Sequence, residues 1–186
     1  QNQSLLFFDD ADLDYVATAE RISGFVEREY GVACYIAISS PVNGMNDIGN
    51  KVDELDEIME NKFYHKNSRV FYEGASAGDN SMIQVDDDTL MKQMHQDIKM
   101  KDTLNLRAHF DRFCDKYSNK TKFSQVYIKF LFSNLLKDFY ENIPNADENL
   151  LNEEIDVLYR ATNFDTVKEI VLNNVKRLED AFGANP

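Results

Sequence analysis

Hydrophobic positions fall in two styles along the chain, as short compact runs in the first part and as stripes at helical spacing in the rest. SLLFF at residues 4–8 is an apolar run closed by Asp9 and Asp10, which predicts a buried strand ending in a turn. Asp12 is placed to cap a helix whose Tyr15, Ala19, Ile22 and Val26, with Phe25 beside them, share one face until Gly31 stops it. ACYIAIS at residues 33–39 has the β-branched and aromatic content of a central strand, and Pro41 and Gly44 mark its exit. Asn46 or Asp47 then caps a helix with Ile48, Val52, Leu55, Ile58 and Met59 on its buried stripe. A polar turn at residues 65–68 leads to a strand at 69–72, and the small, polar GASAGDNS at 74–81 reads as a boundary.

Beyond that boundary the pattern is helical throughout. Asp86, Asp87 and Asp88 suit a helix N-terminus ahead of Leu90, Met91, Met94 and Ile98. After a turn at Lys101 and Asp102, Leu106, Phe110, Phe113 and Tyr117 recur at i, i+4, i+7 and i+11. Thr121 is placed to cap the most apolar helix, with Phe123, Val126, Tyr127, Phe130, Leu131, Leu135, Phe139 and Tyr140, which Pro144 ends. Leu150, Leu151, Ile155, Val157 and Leu158 mark a shorter helix. Thr162 or Asn163 starts the last, with Val167, Ile170, Val171, Val175, Leu178 and Phe182 on one side and Gly183 as its stop. The predicted class is α+β: a small βαβαβ sheet over residues 1–74, a linker over 75–84, and an antiparallel helical bundle over 85–186.

Composition narrows the function. The chain has 186 residues, 43% apolar and 28% charged, which suits one folded domain or two small ones. Twenty Lys and Arg against thirty-three Asp and Glu leave a net charge of −13, a field that repels phosphate backbones, so nucleic-acid binding by this piece alone is not expected. Cys34 and Cys114 are expected to be buried, reduced thiols. No apolar run approaches the roughly 18–20 residues of a membrane span and no signal-peptide pattern opens the chain, so a cytoplasmic protein is expected. The start at Gln1 and the stop at Pro186, just after a helix, suggest a piece of something larger.

Candidate chemistry is sparse. Asp53, Glu54, Asp56 and Glu57 read as a solvated helix face, because no His or Cys shares it. His65, His95 and His109 lie far apart without ligand spacing, and neither a nucleophile elbow nor a phosphate-cradling glycine loop is present. Asp9 and Asp10 after an apolar strand resemble the acidic pair of a response-regulator receiver, but no later strand offers a phosphorylatable Asp and a matching Lys. No catalytic residue, metal or cofactor is therefore assigned. Phe110, Phe113, Tyr117, Tyr127 and Phe130 are the candidates for a ligand pocket between helices, with core packing as the commoner use of such spacing. The last helix fits either bundle packing or the seam of a homodimer.

MENKFYHKNSRVFY at residues 59–72 and YIAISSPVNGMNDI at 35–48 resemble the central region of YesN-like, AraC-family two-component response regulators. LNLRAHFDRFCDKY and YRATNFDTVKEIVLNNVKRL are similar in kind to that family's helical connector. The resemblance implies a degenerate GGDEF-like α/β region and a connector, set between a receiver and a DNA-binding pair of helix-turn-helix units in the parent chain. Ala37 and Ser39 stand where the family often has glycine, and no GG(D/E)EF signature occurs. The resemblance thus implies a non-enzymatic module of a transcription factor that transmits or senses a signal. The alternative is a small-molecule sensor that uses the aromatic-lined helical part.

Overall fold

A computed structural model of the chain describes residues 3–10, 12–42, 44–73, 87–118, 123–144 and 146–183. The protein is mostly helical, with a small two-stranded parallel sheet. Two compact units form: residues up to Met59 together with 67–73, and residues 60–66 together with those from Asp87 onward. The expected linker at 75–84, the whole of GASAGDNS at 74–81, Asp86 of the acidic run expected at a helix N-terminus, and the expected cap Thr121 lie outside the described residues.

The first unit holds α1 (Tyr15–Tyr30), β1 (Ile36–Ile38), α2 (Ile48–Met59) and β2 (Val70–Tyr72). Asp14, rather than Asp12, caps α1 by accepting from the Ala17 N–H at 2.9 Å. Gly31 ends the helix in the left-handed conformation, φ 66°, donating its N–H to the Glu27 carbonyl. Strands β1 and β2 pair in parallel, Ile36 opposite Val70, Ala37 opposite Phe71 and Ile38 opposite Tyr72. Parallel pairing requires the crossover that α2 supplies.

Three contacts fix the direction of α1. Val16 lines a crevice with Ile38, Ser39, Ser40, Tyr72 and Glu73 at the carboxyl ends of the strands. Further along, Ser23 Oγ donates to the Cys34 carbonyl at 2.7 Å, and Glu27 pairs with Arg69 at 3.5 Å, both just ahead of the strands. Helix α1 therefore runs antiparallel to the sheet. The face it buries is Ala19 and Ser23, small residues that let the helix approach, which leaves Ile22 and Phe25 of the expected stripe exposed.

The expected strand at residues 4–8 is not formed. Leu5, Leu6, Phe7 and Phe8 keep 46, 66, 62 and 53% of their surface exposed, and none belongs to the sheet. β propensity alone cannot hold a strand, because its backbone groups need a neighbouring ladder. The segment is instead held at its end: Tyr15 Oη donates to the Asp10 carbonyl at 2.6 Å, and the Phe8 and Tyr15 rings meet edge to face at 6.1 Å. The observed order is thus αβαβ. A 3-10 turn, Met45–Asp47, runs straight into α2, so Asn46 and Asp47 join the helical run instead of capping it. Val52 is exposed, and Ile58 is the buried residue of the α2 stripe.

The second unit is built from α3 (Asp87–Met100), α4 (Thr103–Ser118), α5 (Gln125–Asn142), α6 (Glu148–Arg160) and α7 (Phe164–Gly183). Helices α3 and α4 form a hairpin, with Asp97 facing His109 at 2.6 Å across it. Helix α5 lies antiparallel to α6, since Lys129 meets Tyr159 while Tyr140 meets Glu154. Ser124 caps α5, and Ile143 leaves the helix in an extended conformation, as the residue before Pro144 prefers. Asp147 and Asn163 cap α6 and α7, accepting from the N–H groups of Asn149 and Thr166, each at 2.9 Å.

The core of this unit lies around Phe132 on α5. Its ring packs against Phe113 at 5.2 Å, Phe164 at 5.6 Å and Phe110 at 6.5 Å. Phe63, from the 3-10 turn Glu60–Phe63, joins through Phe164 at 6.4 Å. Helix α5 is apolar nearly all round, and that misdirects the expected face. Ile128, Phe132, Leu135, Leu136, Phe139 and Tyr140 are buried, whereas Val126 and Phe130 face solvent. Truncating a fully buried phenylalanine costs about 3–5 kcal/mol, and an exposed one about 0.5 or less. Urea unfolding should therefore place Phe132→Ala several kcal/mol below the parent and leave Phe130→Ala close to it.

Candidate functional site

The carboxyl edge of a parallel sheet is where α/β units gather their polar chemistry, because loops leave the strands there and helix N-termini face it. In the first unit that edge carries the crevice of about 240 Å³ lined by Val16, Ile38, Ser39, Ser40, Tyr72 and Glu73. Ser40 follows β1 directly, and Lys51 and Glu54 project from consecutive turns of α2 onto it. Glu54 Oε1 accepts from the Ser40 N–H at 2.7 Å and from Ser40 Oγ at 3.0 Å. Lys51 Nζ lies 2.5 Å from Ser40 Oγ and 2.6 Å from Glu54 Oε2.

Charge and hydrogen bonding reinforce each other in this triad. The ammonium of Lys51, followed by the Ser40 N–H, holds the Glu54 carboxyl below its ordinary 4.5. The hydrogen bond to Glu54 in turn raises Lys51 above its ordinary 10.5. A serine activated by lysine needs a neutral amine to take its proton. Here Lys51 is held as an ammonium and Glu54 as a weak base, so the Ser40 hydroxyl donates to the carboxylate and accepts from Lys51. The arrangement closes the loop that leaves β1 onto α2. The adjoining crevice, with the Ser39 hydroxyl and the Glu73 carboxylate, has room for a small polar group.

Glu54 was expected on a solvated face with Asp53, Asp56 and Glu57. Those three are exposed, but Glu54 is drawn in to three-quarters burial of its side chain. A Lys51–Glu54 pair at i, i+3 beside a serine just past a strand was the available signal.

The helical unit has a polar cluster of its own. Arg177 Nη1 donates to Tyr140 Oη, Glu154 Oε1 and Asn174 Oδ1 at 3.0–3.1 Å. Asn174, fully buried, donates to Glu154 Oε2 at 2.7 Å and to the Ile170 carbonyl. Burial, with the Glu154 carboxylate beside it, pushes the Tyr140 hydroxyl up to about 12. Towards the other end of α5, the Lys129 ammonium donates to the Tyr159 carbonyl at 2.9 Å in the last turn of α6, and burial lowers its pKa. These partners satisfy each other and tie α5, α6 and α7 together.

Phe110, Phe113 and Tyr117 are fully buried in this unit. Rings continue from Tyr117 to Phe123 at 5.2 Å and from Phe123 to Tyr127 at 5.6 Å, so four of the five candidate pocket residues fall on one ladder of packed aromatics. Phe130 is not on that ladder and is half-exposed. Cys114 is buried, and burial pushes its thiol up to about 12; Cys34 is half-buried, and both thiols are free. Among the described residues no three His, Cys, Asp or Glu side chains converge on a metal-sized site, and no described helix is long and apolar enough to cross a membrane. No family model matches the chain, and neither a curated protein nor a solved structure matches it.

A carboxylate whose folded pKa is lowered adds stability above its unfolded value and loses that contribution as pH falls through the folded one. For Glu54 the window opens near 4.5 and extends downward. Nuclear magnetic resonance of the Ser40 amide, which donates to Glu54, should titrate with a midpoint below 4.5. Glu54→Gln should abolish that titration and loosen the loop at Ser40.

Proposed function

We propose that this chain is a non-catalytic regulatory module of an AraC-type transcriptional response regulator. In this reading it works in the cytoplasm and transmits or senses a signal between the receiver and the DNA-binding helix-turn-helix pair of its parent. The α/β unit takes the part of a degenerate GGDEF-like domain, and the helical unit takes the part of the connector. The transcriptional role rests on the sequence resemblance at residues 35–48 and 59–72.

The observation that carries the non-catalytic part is the closed triad of Ser40, Lys51 and Glu54. At the edge where an α/β enzyme would keep a free nucleophile or base, the groups are committed to one another. The crevice beside them suits recognition, and recognition has a covalent route onward. Lys51 and Glu54 belong to α2, and the chain continues from Met59 directly into residues 60–66, whose Phe63 is part of the helical core. A net charge of −13 supports a role that leaves DNA contact to another part of the parent.

The parent gene and a promoter reporter test this reading together. A receiver encoded before residue 1, a helix-turn-helix pair after residue 186, and a reporter whose response to the input is lost in Glu54→Ala are expected. Different flanking domains, or formation of a cyclic dinucleotide when the chain is incubated with GTP and magnesium, would overturn it.

A further inference from the structure

The crossover that links β1 to β2 does not stay within its own unit. Helix α2 and strand β2 belong to the first unit, yet residues 60–66 between them belong to the second. The excursion has no slack at its start, because the 3-10 turn Glu60–Phe63 begins at the residue after Met59. From Met59 to Glu73 the chain holds neither glycine nor proline, so no residue specialised for turning eases the path.

The contacts of residues 60–66 gather at the starts of two helices. At α5, Glu60 accepts from the Gln125 N–H at 3.5 Å and from Gln125 Nε2 at 3.3 Å. A carboxylate there also suits the positive end of the helix dipole. The Tyr64 hydroxyl donates to the Phe123 carbonyl, just ahead of the Ser124 cap. At α7, the Tyr64 and Phe63 rings lie 6.1 and 6.4 Å from that of Phe164, the first helical residue. Lys66 pairs with Asp165, the next residue, at 2.6 Å. Phe63 is the anchor, 3% exposed, with the Lys129 ammonium 5.6 Å from its ring centre. Groups of the carboxyl edge flank the segment on both sides. Lys51 and Glu54 precede it on α2, and Tyr72 and Glu73, which line the crevice, follow it at the end of β2.

We infer that residues 60–66 are a coupling strap, which passes a displacement of α2 or β2 to the first turns of α5 and α7. A change at the Ser40–Lys51–Glu54 triad acts on α2, and no loop follows that helix to absorb the movement. Glu60 then moves against Gln125, and Tyr64 and Lys66 move against Phe123 and Asp165, while the buried Phe63 keeps the strap in the helical core. This role rests on the reading of the carboxyl edge as the place where a signal arrives. Spectra of the chain alone report on the strap, whereas flanking domains and the reporter report on the parent, so either can fail without the other.

Heteronuclear nuclear magnetic resonance of the full chain at neutral pH tests the coupling. The effect of Glu54→Gln is measured in two backgrounds, the native strap and one carrying Glu60→Ala, Tyr64→Phe and Lys66→Ala, which keeps Phe63. Glu54→Gln is expected to shift the amides of Gln125, Asp165 and Thr166 in the native background and to lose that effect in the altered one, as a double-mutant cycle isolates. Circular dichroism checks that both backgrounds keep their helices. Lys66→Ala alone, at an ion pair about half-exposed and of little weight in folding, should reduce the response at Asp165 and Thr166 and leave that at Gln125. Unmoved amides at these positions in the native background, equal shifts in both backgrounds, or an α7 response that Lys66→Ala leaves intact would overturn the inference.

Discussion

Two strands of three residues are too few to shelter themselves, and the organisation of the first unit follows from that shortage. A parallel sheet is normally covered on both faces and continued at both edges, because its backbone groups and apolar side chains have no other refuge. Among the described residues the buried apolar side chains of the unit are Ala19, Ile58 and Phe71. Polar ties supply part of what the core does not. Ser23 holds α1 to the chain ahead of β1, Glu27 pairs with Arg69 ahead of β2, and Glu54 gathers the Ser40 amide, the Ser40 hydroxyl and Lys51 at the other end. The same groups that secure the loop also fill the position where chemistry would otherwise reside.

The second unit rests on the opposite condition. Phe132 stands among Phe110, Phe113 and Phe164, and Leu90, Met94, Leu106, Val167, Val171, Val175 and Leu178 complete a core that excludes water almost fully. Among the described residues its buried polar groups find partners in two places, Asn174 with Glu154, and Lys129 and Ser133 beside Tyr159. Each buried aromatic contributes apolar area as well as ring geometry, so stability is concentrated in these helices. Residues 60–66 belong with them, although they immediately follow α2 of the other unit. The Glu54 triad thus sits on a helix whose chain leads directly into the helical unit.

Legibility in the sequence followed locality. Leu106, Phe110, Phe113 and Tyr117 repeat at the helical period on a helix with one polar side, and all four are buried as that period requires. Helix α5 has apolar residues on nearly every side, so periodicity could not choose between Phe130, which is exposed, and Phe132, which is central. Residues 4–8 were legible as strand-forming, but pairing is a non-local property that composition does not contain. Glu54 was hidden for a related reason. It sits in an acidic run where solvent is the ordinary destination, and only the approach of Ser40, fourteen residues earlier, turns it inward.

The central physical claim is that the helical unit is self-sufficient while the α/β unit is held by an open sheet and a few polar ties. Native-state hydrogen exchange, read amide by amide at increasing denaturant, tests it most directly. The slowest amides should lie in α4, α5 and α7 and exchange only through global unfolding, with those of β1, β2 and α1 opening earlier as a separate group. Amides of β1 and β2 that open together with those around Phe132, at the same free energy, would contradict the account.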